Sequence, residues 1–253
     1  MGWMARSCIL ALIVFAACTT GAMASGSTGH FDITFKGCPD TGDPALISEL
    51  EAAYGDVNSL FGTCPGHVEV VVISDGAMDR IGRQVDSFSG WNPEFSAVVL
   101  RDSTVNNSSS MPVLARHELT HLAINGILSK KDSTDFHWME EGICTLVSNE
   151  PLNDREVSGY IVGHGFLDTA GIYDAIKSED CAVSKNGYMQ SYSLVKYMEK
   201  RYGIGIIKKL LESPDKSLDA AFRSNTGEGF ASFYDDWKAG VKALARSSEA
   251  NKA

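Results

Sequence analysis

The chain is predicted to be α+β: a small N-terminal mixed sheet with helices, a helix pair around an H-E-x-x-H sequence, and a helical C-terminal part. Three observations carry this expectation. Strand-like runs rich in β-branched residues are confined to the first hundred or so positions, with a helical stretch between the first two. From Met111 onward, three- and four-residue apolar spacing dominates. With 44% hydrophobic and 21% charged residues in 253, the chain suits one globular domain with a sizeable core.

Residues 1–24 read as a signal peptide. Arg6 precedes an apolar run from Cys8 to Ala17 that is too short to span a bilayer comfortably. Two processing sites compete. Ala22-Met23-Ala24 before Ser25 has the A-x-A form of an ordinary cleavage site. Phe15-Ala16-Ala17-Cys18 resembles a lipoprotein signal, with Phe where Leu is usual, and would attach the chain to a membrane through a lipidated Cys18. Either way the protein is expected to be exported, to the bacterial periplasm or cell envelope or as a secreted protein. Residues 25–30 read as a linker, 31–245 as the domain and 246–253 as a flexible tail. The net charge of −10 argues against nucleic acid or an anionic membrane surface as partner.

Four cysteines lie outside the signal: Cys38, Cys64, Cys144 and Cys181. An even count in an exported chain suggests two disulfides, with Cys38–Cys64 and Cys144–Cys181 favoured because neighbouring segments meet more readily. Their spacing fits no C-x-x-C zinc or redox site.

In order, Phe31 to Phe35 alternates like a strand, and Pro44 to Phe61 repeats Leu46, Ile47, Leu50, Ala53, Tyr54, Val57 and Phe61 on one helical face. Val68 to Ser74 is a β-branched strand, Ala77 to Arg83 a short helix, and Phe95 to Arg101 a strand reached through a turn-like Ser89–Pro93. Ser108 to Ser110 offer a helix N-cap, Pro112 suits a first turn, and Gly126 lies near an end. Asn149–Arg155 reads as a turn, and the sequence from there to Ile176 is Gly-rich and ambiguous. Gly187 to Gly203 forms another helix, and Ile204 to Leu244 two or three short ones.

The chemistry is concentrated in His117-Glu118-Leu119-Thr120-His121. On a helix the two imidazoles share one face about a turn apart, where each can give a nitrogen to Zn²⁺. Glu118 then lies beside the ion, placed to take a proton from water. Glu141 follows His121 by twenty residues, enough to finish the helix, turn and run back, so a carboxylate of that second segment can reach the pair; Glu140 competes with it. The bland alternative is two ordinary histidines on a half-buried helix. His137 stands one turn before Glu141 as an outer neighbour, His164 reads as a solvated loop residue, and His30 and His67 carry no assigned role.

H-E-L-T-H followed by W-M-E-E-G resembles the gluzincin metallopeptidases, the thermolysin-like clan of zincins. It is closest to the compact peptidase MA-like domains of bacterial envelope proteins. The resemblance spans about residues 31–244 and is specific only in this motif pair. It implies one Zn²⁺ held by His117, His121 and Glu141, the carboxylate directly before Gly142, with Glu118 as general base. It also implies a peptide or protein substrate. In the related aminopeptidases a Tyr at the start of a following helix donates to the tetrahedral oxyanion; Tyr188 matches that place, with Tyr192 as the alternative. The strand before the zinc helix, residues 95–101, matches the edge along which gluzincins bind extended peptide; the alternative is an ordinary core strand. Two departures stand out. Thr145 occupies the position of an acidic residue that orients a ligand histidine, and the oxyanion histidine of thermolysin has no counterpart. A second function class keeps the same fold as a non-catalytic zinc-binding envelope protein, and a third has the motif fortuitous and metal-free.

Overall fold

The computed structural model describes residues 24–39, 44–81, 86–92, 94–107, 109–131 and 134–250. The signal segment up to Met23, including Cys8 and Cys18, and residues 251–253 of the expected tail lie outside them. The chain is α+β and divides into two compact units, Met1–Gly126 and Ile127–Ala253.

The first unit is built on a five-stranded mixed sheet in the order β1-β2-β3-β5-β4. Its strands are β1 (Ala24–Ser27), β2 (Phe31–Lys36), β3 (Val68–Ile73), β4 (Ser87–Asn92) and β5 (Phe95–Arg101). Strands β2, β3 and β5 are parallel, and β1 and β4 pair antiparallel at the two edges. Two strands escaped the sequence reading. β1 occupies part of the expected linker, and β4 takes in most of the expected turn. The segment S-F-S-G-W-N lacks a β-branched run, and an edge strand needs pairing on one side only. β5 is therefore an interior strand, not the edge expected of residues 95–101; β4 is the edge on that side.

Period-two alternation sends the strand residues to two faces. Phe31, Ile33, Val68, Val70, Val72, Val98 and Leu100 share one face. There Tyr54 of α1 (Pro44–Phe61) meets Phe31 edge to face, with ring centroids 5.9 Å apart. α1 begins and ends where its stripe of apolar residues does, and only Ile47 of that stripe is not fully buried. On the opposite face Val71, Ile73, Ala97 and Val99 pack against Met78 of α2 (Asp75–Arg80). A single turn, α3 (Asp102–Val105), leads to α4 (Met111–Leu128). The Arg116 Nε donates to Asp56 Oδ2 at 2.9 Å and Thr63 Oγ1 donates to the Ala123 carbonyl at 2.8 Å, which ties α4 to α1 and to the segment after it.

The second unit is helical: a 3₁₀ turn (Thr134–Met139), α5 (Glu140–Val147), α6 (Asp154–His164), α7 (Thr169–Ile176), α8 (Cys181–Tyr202), α9 (Gly205–Glu212), α10 (Leu218–Thr226) and α11 (Phe230–Ala250). α6 and α7 replace the ambiguous stretch. Their starts were encoded in Asn153 and Asp168, whose side chains accept from the first free backbone N–H groups. Asp180 and Ser217 cap α8 and α10 in the same way, and Gly227 ends α10 in the left-handed conformation at φ 83°. α11 continues to Ala250, through residues read as tail. Phe222, Phe230 and Phe233 form its aromatic core with Tyr202 and Trp138. No helix among the described residues is long and apolar enough to cross a membrane.

None of the four described cysteines is joined in a disulfide, against the expected pairs. Cys38 follows the C-terminal end of β2 and donates to the Val72 carbonyl at 3.6 Å. Cys64 precedes the N-terminal end of the parallel β3, so the length of a strand, ~20 Å, lies between them. In the second unit α5 meets α8 at Ser191, whereas Cys181 stands ten residues earlier, ~15 Å along that helix. Burial pushes the Cys64 thiol up to about 12.

Candidate metal centre

α4 carries the H-E-x-x-H motif. The Ser110 carbonyl accepts from Leu114 N at 3.0 Å, so Ser110 occupies the cap position, and Pro112 falls in the first turn where a missing N–H costs nothing. Met111, Ala115, Leu119, Leu122 and Ala123 are buried, which fixes the rotation of the helix. Gly126 does not end it; the helix runs two residues further.

That rotation leaves His117 and His121 partly exposed with their Nε2 atoms 3.2 Å apart and their rings at 60°. Two imidazole nitrogens at this distance hold either one proton or a cation between them. For a tetrahedral ion bound at 2.0–2.1 Å, ligand atoms are separated by ~3.3 Å, so the pair fits one edge of a zinc site. Glu118 lies on the adjoining side of the helix, 5% exposed, and its Oε1 accepts from Ser87 Oγ at 2.7 Å. Ser87 is itself buried on β4, in register with Leu100 of β5. The base expected from the motif is thus held in one orientation by a hydroxyl that the motif did not reveal. Its only signal was a serine in the unassigned stretch just before the segment read as a turn.

In the second unit, the W-x-x-E-G sequence spans the junction of the 3₁₀ turn and α5. Ser191 of α8 clasps this junction: its Oγ accepts from Gly142 N at 2.8 Å and donates to the Trp138 carbonyl at 2.6 Å. A Cβ on residue 142 would lie 2.4–2.5 Å from Ser191, including its backbone carbonyl, so only glycine admits this approach. Glu141 is buried directly before it, and Glu140 is more open. Cys144 is fully buried one turn on from Glu141. Burial lowers the His137 pKa, Glu140 opposing that shift.

Tyr188 stands on α8, one residue after Gly187, where a Cβ would come within 2.7 Å of Ile176 N of α7; the helix begins at Cys181, not at Gly187 as the sequence suggested, so Tyr188 lies two turns inside it rather than at its start. Tyr188 is half-buried. Tyr192, its alternative, is 4% exposed and its hydroxyl accepts from Lys196 Nζ at 2.8 Å, which commits it to an internal contact. His164 ends α6, stacked on Tyr160 at 3.9 Å. His30 contacts Glu51 through Nδ1 at 2.7 Å.

Within a single unit, one group of described residues, Asp32, His67 and Glu69, has the donor atoms to hold a metal ion together. No family model matches the chain, and no curated protein matches it as a relative.

Proposed function

We propose that this protein is an exported zinc metallopeptidase of the gluzincin type, hydrolysing peptide bonds in a peptide or protein substrate. The observation that carries the reading is the histidine pair on α4, at a spacing that suits one ion, with a buried carboxylate on the residue between them held by Ser87. His117 and His121 would be two ligands and Glu141 the third. Cys144, buried one turn on from Glu141, offers a competing thiol donor by its chemistry. Zinc, when bound there, supplies Lewis-acid polarisation and lowers the pKa of a water towards ~7.

This chain's own residues would do the rest. Glu118 accepts the proton of the attacking water and returns it to the leaving amine; the Ser87 hydroxyl keeps one carboxylate oxygen engaged so that the other faces the water. Tyr188 donates to the developing oxyanion. Export, and attachment through Cys18 where the lipoprotein signal is used, rest on the N-terminal segment.

A second reading keeps the metal and omits turnover: an envelope protein that uses zinc to bind or to hold its shape. The buried Cys144 favours it, because thiolate ligands are common where zinc is structural. Elemental analysis of the purified protein tests both. One zinc per chain is expected, lost in His121→Ala and in Glu141→Ala but kept in Cys144→Ser. Loss in Cys144→Ser with retention in Glu141→Ala would reverse the third ligand. Stoichiometric zinc without cleavage of any member of a peptide library would select the second reading. A folded protein that takes up no zinc would overturn both.

A further inference from the structure

We infer that Asp32, His67 and Glu69 form a second divalent-cation site, confined to the first unit and independent of the α4 histidines. The parallel register of β2 and β3 places Asp32 directly opposite Glu69. Both belong to the sheet face that carries Val71 and Ala97, at the N-terminal end of the strands. His67 precedes Glu69 by two residues and turns its ring into the same place. Its Nε2 lies 3.0 Å from Asp32 Oδ2 and 3.8 Å from Glu69 Oε1, and one donor atom from each residue falls within 4.8 Å of the other two.

Two arguments favour an ion over a simple ion pair. Like charges directly opposite on neighbouring strands repel, and a single imidazole meets only part of that charge. Of the two separations, 3.0 Å falls within the ~2.9–3.5 Å expected between neighbouring ligands of an ion bound at 2.0–2.2 Å in octahedral or tetrahedral geometry, and 3.8 Å lies a few tenths of an ångström beyond it. One imidazole nitrogen and two carboxylates suit a first-row ion such as Zn²⁺ and are a poor match for soft ions or for calcium, which prefers oxygen throughout. The side chains are 34–50% exposed, which leaves room for water to complete the coordination. The sequence hid this site because Asp32 and His67 are 35 residues apart and meet only through the strand register.

Calorimetric titration of the full-length protein with Zn²⁺ tests the assignment. Wild type should show two binding events and His67→Ala one. In a His121→Ala background the remaining event should weaken by about 10–100-fold or more on adding His67→Ala or Glu69→Gln. His67 is half exposed, so these replacements leave the fold intact, which thermal melting would verify. Equal zinc binding by His121→Ala and His121→Ala/His67→Ala would overturn the site, as would no binding in His121→Ala. A single wild-type event that disappears with His67→Ala would uphold it and refute the α4 centre instead. Should His121→Ala not fold, the drop from two events to one in His67→Ala alone decides the matter.

Discussion

In the first unit His117 and His121 come together because they stand one turn apart on a single helix. In the second, Glu141 takes its direction from a contact between Gly142 and Ser191, 49 residues on. The first arrangement survives as long as α4 stays helical. The second exists only when α5 and α8 are packed. A local constellation is robust and visible in spacing; a tertiary one is conditional, and its determinants lie far from the residues it positions.

The widest separation between the two should appear on removing the base. Glu118→Gln is expected to lower hydrolysis by about 10²–10⁴-fold, ~3–5 kcal/mol of barrier, while zinc content and melting temperature hold. Undiminished turnover would remove Glu118 from the chemistry. Next comes Gly142→Ala, which forces a methyl into the Ser191 backbone; unfolding free energy should fall by about 1–3 kcal/mol or more, with metal affinity falling too. A full-stability variant would mean that α5 is not pinned at Ser191. Ser87→Ala should cost about 1–3 kcal/mol by leaving a buried carboxylate oxygen without its donor, and Ser87→Thr should restore most of it. Denaturant melts of the three proteins decide this.

The smallest effect concerns acid. Burial pushes the Glu51 pKa up, but the Thr28 hydroxyl and His30 outweigh it and hold the group below its ordinary value. A lowered carboxyl stabilises the fold above the unfolded-state pKa, and that stabilisation is lost as pH falls through the folded one. Because the pair is partly exposed, the change should be under about 1 kcal/mol. Comparing wild type with Glu51→Gln between pH 5 and 3 should show a shallower acid limb in the variant; coincident limbs would exclude the effect.

What could be read from the chain alone follows the same division. The bounds of α1 and the three parallel strands were legible because their side chains alternate or recur at the period of the element. The helix of the histidine motif was legible for the same reason, although Gly126 suggested too early a stop. β4 was not: its small and polar residues pair on one side only, and its importance lies in one hydroxyl. Ser191 stood in plain view within the helix pattern, but nothing in spacing tells which residue of a helix will meet a glycine on another. The cysteines were misread because neighbours in sequence were taken as neighbours in space, whereas a parallel crossover puts Cys38 and Cys64 at opposite strand ends. Whether the proposed third ligand is Glu141 or Cys144 is likewise a matter of packing, not of spacing.

The clasp at Ser191 settles a question of helical phase. Where a 3₁₀ turn runs into an α-helix the two winding rates differ, and each residue gained or lost at the seam turns everything downstream by about 100°. A slip of one position would bring Glu140 to the bearing now held by Glu141 and carry Cys144 away from its own. By gripping the Trp138 carbonyl on one side of the seam and the Gly142 amide on the other, a single hydroxyl sets the angular origin of α5. Two adjacent glutamates of identical chemistry are thereby made unequal.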